Sequence, residues 1–186
     1  SPFQNNLAGK TIATGDALGQ TWTKGDYNRK PTGMLCIDGK IYLAVQDLGF
    51  SFLDAPAATI AVSNDHGATW TWDKSKPMFP DYVMTTLWFL DFGKDSANAI
   101  DDYVYVYALD NNWRFTSKRL SPTKLWLAKA PRDKVMDRKA WTYFTGIGVD
   151  GTPGFDADIG KRVPVLEDQT KVYTRPYYSN GVRDMT

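Results

Sequence analysis

Ser63-Asn64-Asp65-His66-Gly67-Ala68-Thr69-Trp70 is the stretch whose reading decides the fold. Its pattern is Ser-x-Asp-x-Gly-x-Thr-Trp. Residues 58–63 before it are β-rich, and Trp70-Thr71-Trp72 after it alternates as a strand does. The octet therefore reads as a tight connection between two antiparallel strands. Asp65 is suited to accept hydrogen bonds from turn N–H groups, as in Asx turns. Gly67 can take φ > 0 without steric cost. Trp70 is large enough to wedge beneath the turn. His66, the single histidine, falls at an exposed turn position.

Outward from the octet the chain reads as sheet. Hydrophobic runs 33–38 and 40–46 flank Asp38-Gly39, a strong hairpin signal. Ile41-Tyr42-Leu43-Ala44-Val45 is wholly apolar, as in a strand covered on both faces. With 59–63 and 70–72 these runs make one four-stranded unit over about residues 32–74. A Pro-containing link, 76–80, leads to a second unit over about residues 84–145. Its expected strands are 86–91, 103–108, 124–129 and 140–144. Tyr103-Val104-Tyr105-Val106-Tyr107-Ala108 alternates aromatic and small apolar residues. The charged segment 131–139 replaces the octet there, with a helical turn, and places Trp141 where Trp70 sits. Residues 146–155 read as turns, 156–166 as one short helix, and 171–175 as the start of a further strand.

Composition narrows the class. The chain has 186 residues, a net charge of +1, and aromatics at 14%. Near-neutral charge gives no electrostatic case for nucleic acid or a membrane surface. Glu167 is the only glutamate, which disfavours long helices because Asp prefers turns. Cys36 is alone, so no internal disulfide forms; its apolar surroundings predict a small buried hydrophobe. No apolar run of about 18 residues predicts a membrane helix, and no signal peptide is visible.

Ser63 to Trp70 resembles the Asp box of the bacterial neuraminidase repeat, which occurs in β-propellers. Ser63, Asp65, Gly67, Thr69 and Trp70 occupy its defining positions. Thr14 to Trp22 is a weaker copy, with one extra residue before the glycine. The series Leu90 to Asp95, Asp102 to Tyr105, Asn111-Asn112-Trp113 and Leu125 to Phe144 resembles a secreted microbial propeller family. That family, long known only as a domain of unknown function, is glycoside-hydrolase-like or sialidase-like and five-bladed. Some relatives are endo-acting D-arabinan hydrolases. The resemblance implies an all-β propeller of four-stranded antiparallel blades. Propellers use about four to eight blades, so two blades with flanking pieces imply a fragment of one propeller domain, or assembly with other copies.

The resemblance also implies a polysaccharide or oligosaccharide ligand, a secreted or extracytoplasmic location, and an active site at the channel mouth. It makes the Asp box structural. Glycoside hydrolysis uses two carboxyl groups, one as general acid. Asp91 and Asp110 end neighbouring strands and form the expected catalytic pair. Asp47, Asn111, Asn112, Trp113, Arg114 and Arg175 are the expected substrate contacts. Each Asp also reads as a strand-end cap. Trp113 is the favoured sugar-stacking ring; Trp88 and Trp126 lie within strands and read as core. Asp95, Asp101 and Asp102 form an acidic group for which Ca²⁺ is conceivable, but no EF-hand spacing exists, and no cofactor is expected. A polysaccharide lyase and a non-catalytic sugar-binding or scaffold propeller are the alternative functions.

Overall fold

The computed structural model describes residues 27–49, 55–110 and 123–168. These are all-β, joined by loops and short 3-10 turns. Strands β1 (Tyr27–Ile37), β2 (Lys40–Gly49) and β3 (Ala57–Ser63) form one antiparallel sheet in that order. The second sheet runs β4 (Thr86–Phe89), β5 (Tyr103–Leu109), β6 (Thr123–Pro131), β7 (Thr142–Ile147) and β8 (Pro153–Asp156). A short β9 (Leu166–Asp168) pairs with the N-terminal part of β6, at Thr123 to Leu125.

Both sheets depart from four strands. In the first, the expected fourth strand shrinks to a bridge, Val62 with Thr71. In the second, the turn-rich stretch 146–155 closes a hairpin and adds β8. Its Asp-Gly and Pro-Gly signals mark the hairpin turn and the strand that follows, not a featureless loop. The expected short helix is the 3-10 turn Ile159–Lys161, capped by Asp158 accepting from the Gly160 N–H. Segment 131–139 holds 3-10 turns at Arg132–Lys134 and Arg138–Ala140.

The core lies between the sheets. Leu35, Ile37, Tyr42, Ala44 and Ile60 pack against Leu87, Val104, Val106, Ala108, Ala128 and Trp141. Period-two alternation explains which residues reach it. On β5, Val104, Val106 and Ala108 are buried, while Tyr103, Tyr105 and Tyr107 face the other side. On β1, Leu35 and Ile37 point inward, so Cys36 is exposed, not buried as its apolar run suggested. Trp88 pairs with Tyr107 on the outward face and is 38% exposed, so it is not core. Trp126 is buried. The apolar β2 is covered twice: Val45 joins Ala61, Leu43, Trp70 and Trp72 in a second cluster behind the first sheet.

Gly33 sets how near the sheets come. A Cβ there would lie 3.0 Å from the Leu87 carbonyl oxygen and 3.2 Å from the Phe89 nitrogen. Only glycine lets β1 and β4 approach that closely. The β1–β2 register shifts at the same point, between Pro31 and Gly33.

Candidate functional site

The strand registers sort the polar residues into two ends. One end holds the Asp38-Gly39 turn, the octet after β3, and the β4–β5 loop. The other holds Arg29, Gln46, Asp47, Thr86 and Asp110.

At the first end the octet is a closed hydrogen-bonded loop. Ser63 Oγ donates to Asp65 Oδ1 at 2.8 Å and accepts the Gly67 N–H at 2.8 Å. Thr69 donates its N–H to Asp65 Oδ1 at 2.8 Å and its hydroxyl to Oδ2 at 2.6 Å. These donors, led by the Thr69 hydroxyl, pull the Asp65 carboxyl down to about 2. His66 and Gly67 take φ of 57° and 87°, so the Gly position is needed for its conformation. Trp70 turns under the loop onto Val45 and Ala61. With both Asp65 oxygens engaged by its own turn, the octet ties strands together.

The same end joins the two sheets. Arg132 grips Asp38 with two hydrogen bonds of 2.8 Å, and Asp95 Oδ1 accepts the Asp38 N–H. The Arg132 side chain holds the Asp38 carboxyl below its ordinary value. Asp101 accepts the Tyr105 hydroxyl at 2.7 Å; burial first, then that bond, pushes the phenol well above its usual value. Among the described residues no group of three His, Cys, Asp or Glu is arranged to hold a metal ion.

Asp91 also belongs to this end, where it accepts the Gly93 N–H at 2.8 Å in a turn. Asp110 follows Leu109, the partner of Thr86, at the opposite end of the same ladder. Six residues of strand rise separate the two, about 20 Å. Paired carboxyls of glycosidases stand about 5–9.5 Å apart. Neighbouring strands were inferred correctly, but antiparallel pairing sends their ends in opposite directions. Asp91 and Asp110 do not converge on one cleft.

The second end is the candidate site. Asp110 Oδ1 accepts the Met84 N–H at 2.8 Å, and Oδ2 accepts Arg162 Nη2 at 2.8 Å. The Arg162 guanidinium lies 4.2 Å from the centre of the Trp126 ring, a cation–π stack. Thr86 donates to Gln46 across the sheets at 2.9 Å, with both residues buried. Thr85 donates to the Ala55 carbonyl at 2.6 Å. Asp47 is fully buried and lies 3.7 Å from Arg29 Nε. Asp47 pairs in register with Ala57 and Arg29, so it alternates with Gln46 to the far face of β2. The segment between the sheets is strained: Asp81, Tyr82 and Met84 have φ of 60°, 65° and 51°. Asp110 fixes Met84 in that conformation.

Asn111, Asn112, Trp113, Arg114 and Arg175 lie outside the described residues, as does the weaker Asp-box copy. Asp110 leads directly into Asn111. Arg162, Arg29, Gln46 and Thr86 are the site residues that sequence reasoning missed. Arg162 sits more than 50 positions from Asp110, and no local spacing signals that pairing. Compared with known proteins, the chain matches no family model and no curated relative.

Proposed function

We propose that the chain is part of a carbohydrate-active β-propeller of glycoside-hydrolase type. Its sugar-facing end is the one that holds Asp110, Arg162 and Asp47. One observation supports the propeller reading above others. Each sheet opens its fourth position with a tryptophan, Trp70 before Thr71 and Trp141 before Thr142. Trp141 packs on the face toward the first sheet, and Trp70 on the first sheet's far face. The two units therefore stack in the same sense, as successive blades do. The Asp box then closes the end away from the ligand, and Asp110 stands at the other.

In this reading Asp110 is a fixed carboxylate, oriented by Arg162 and the Met84 N–H, that accepts a sugar hydroxyl. A second carboxyl group for hydrolysis is not supplied by Asp91. A non-catalytic sugar-binding propeller is the second reading, favoured because both Asp110 oxygens already have protein donors. Reducing-end release from a panel of microbial and plant polysaccharides, with Asp110→Asn alongside, tests the proposal. Hydrolysis that falls at least about 100-fold in Asp110→Asn supports it. Glycan binding without product favours the binding module. Products absorbing in the ultraviolet identify a lyase, and neither binding nor turnover on any glycan sinks the carbohydrate reading.

A further inference from the structure

A cleft of about 720 Å³ opens between the two sheets. Thr59 and Ile60 of β3 and the link 76–81 form one wall; residues 136–139, Tyr143 and Ile159 form the other. The volume suits a small molecule. Met78, Met136 and Ile159 give the cleft an apolar floor.

One polar group in this lining is buried and unused. Tyr143 pairs in register with Ala128, so its side chain stands on the face of β7 that meets the first sheet, and it is 7% exposed. Its hydroxyl has no hydrogen-bond partner among the described residues, yet it is not among the polar atoms sealed from solvent. The residue lines the cleft, so the hydroxyl opens into it. Buried hydroxyls without a partner are uncommon. Burial pushes the phenol above its ordinary value, against the fields of Arg138 and Arg162, so at neutral pH it is a proton donor.

Arg138 lines the same cleft from its 3-10 turn. It donates Nη1 to the Pro77 carbonyl at 3.3 Å, and no carboxylate lies within ion-pairing reach of it among the described residues. The other charges of the lining leave a positive excess. Asp73 accepts from the Ser75 N–H and hydroxyl, and Asp137 from the Lys139 N–H, so local turns engage both. Lys76 and Lys139 remain against Asp81.

We propose that this cleft binds a small amphipathic carboxylate, with its apolar body on Met78, Met136 and Ile159 and its carboxylate taking the Tyr143 hydroxyl and the Arg138 guanidinium. A donor and an unpaired cation beside an apolar floor are the complement of such a molecule. A sugar fits less well, because the floor offers its hydroxyls no partner. The site stands apart from the Asp110 end and does not rest on the carbohydrate reading.

The test uses the chain labelled at its methionine methyls with ¹³C and three probes: naphthalene-2-acetate, the neutral naphthalene-2-acetamide, and acetate. Naphthaleneacetate is expected to bind with a Kd below about 1 mM and to shift the Met78 and Met136 methyls, with Met34 and Met84 unmoved. The amide is expected to bind at least about fivefold more weakly, and acetate, which lacks the apolar body, more weakly still. Arg138→Gln should weaken the acid at least about threefold and leave the amide unchanged, whereas Tyr143→Phe should weaken both. Arg138 is exposed, so its variant keeps the test open if Tyr143→Phe does not fold. Equal affinity for acid and amide, or native affinity for the acid in both variants, overturns the carboxylate seat. Unmoved Met78 and Met136 methyls at saturating acid overturn the site. Glycan hydrolysis or its absence at the Asp110 end bears on neither outcome.

Discussion

Removing the Trp141 side chain is expected to cost more stability than any other single truncation in the second sheet. Trp141 is 1% exposed and sits in the core between the sheets. Its ring meets Phe79 edge-on, with centroids 5.8 Å apart and planes at 77°. Its indole N–H donates to the Val135 carbonyl at 3.0 Å, and that contact is buried. Truncating a buried aromatic to alanine costs about 3–5 kcal/mol, from lost transfer energy and the cavity left behind. Trp141→Phe retains an edge-to-face partner for Phe79 but strands the Val135 carbonyl, a loss of about 1–3 kcal/mol. With a urea slope of about 2 kcal/mol per M, Trp141→Ala lowers the unfolding midpoint by about 2 M. A double-mutant cycle with Phe79→Ala should return a coupling of about 0.5–1.5 kcal/mol. Trp70→Ala serves as the control, because Trp70 is only half-buried on the far face, and should cost about 1–2 kcal/mol. A loss below about 1 kcal/mol in Trp141→Ala would refute the packing of the second sheet on the first through this residue.

Three further expectations follow from the site geometry. Asp38 has a depressed folded value because Arg132 binds it, so its stabilisation is present above the ordinary Asp range and lost as pH falls through the folded value. The pair is half-exposed, at 26% and 51%, so the effect stays below about 1 kcal/mol. Unfolding at pH 6 and pH 3 should show a smaller difference in Arg132→Ala than in the native chain, and an equal difference would remove the clamp. A carboxyl ¹³C titration should find Asp65 at about 2, and Thr69→Val should raise it; an Asp65 titrating near 4 in the native chain would contradict the closed turn. Arg162→Met should destabilise by about 1–3 kcal/mol, because it removes a charged partner from the partly buried Asp110. In that variant Asp110→Asn should cost less than in the native background, and strict additivity would show that the two residues do not act together.

Much of the local structure was legible in the chain. Alternation in 103–108 named the two faces of β5, because strand side chains have a period of two. Asp38-Gly39 marked the first hairpin, and Gly39 does take a φ of 68°. Other readings failed for identifiable reasons. Cys36 and Trp88 stand in apolar runs, but the face on which each lands depends on which side the neighbouring sheet covers. Residues 146–155 carry strong bend signals, and those bends belong to a hairpin whose second strand has only four residues.

The candidate site was half legible. Asp110 could be named as a strand end, and it and Asp91 lie just beyond the ends of β5 and β4. Which end each occupies follows from antiparallel pairing, and that separates them by about 20 Å. Arg162 reaches Asp110 only after β6, β7 and β8 return the chain to that edge.

The sequence by itself determined the all-β class, the octet's turn and its hydrogen-bonding logic, because those depend on neighbours within a few residues. Ser63, Asp65, Gly67 and Thr69 carry every group that the turn needs. Only the tertiary structure decided which carboxylates share an end and which faces are covered. Those are consequences of strand direction, register and sheet stacking, which join residues tens of positions apart.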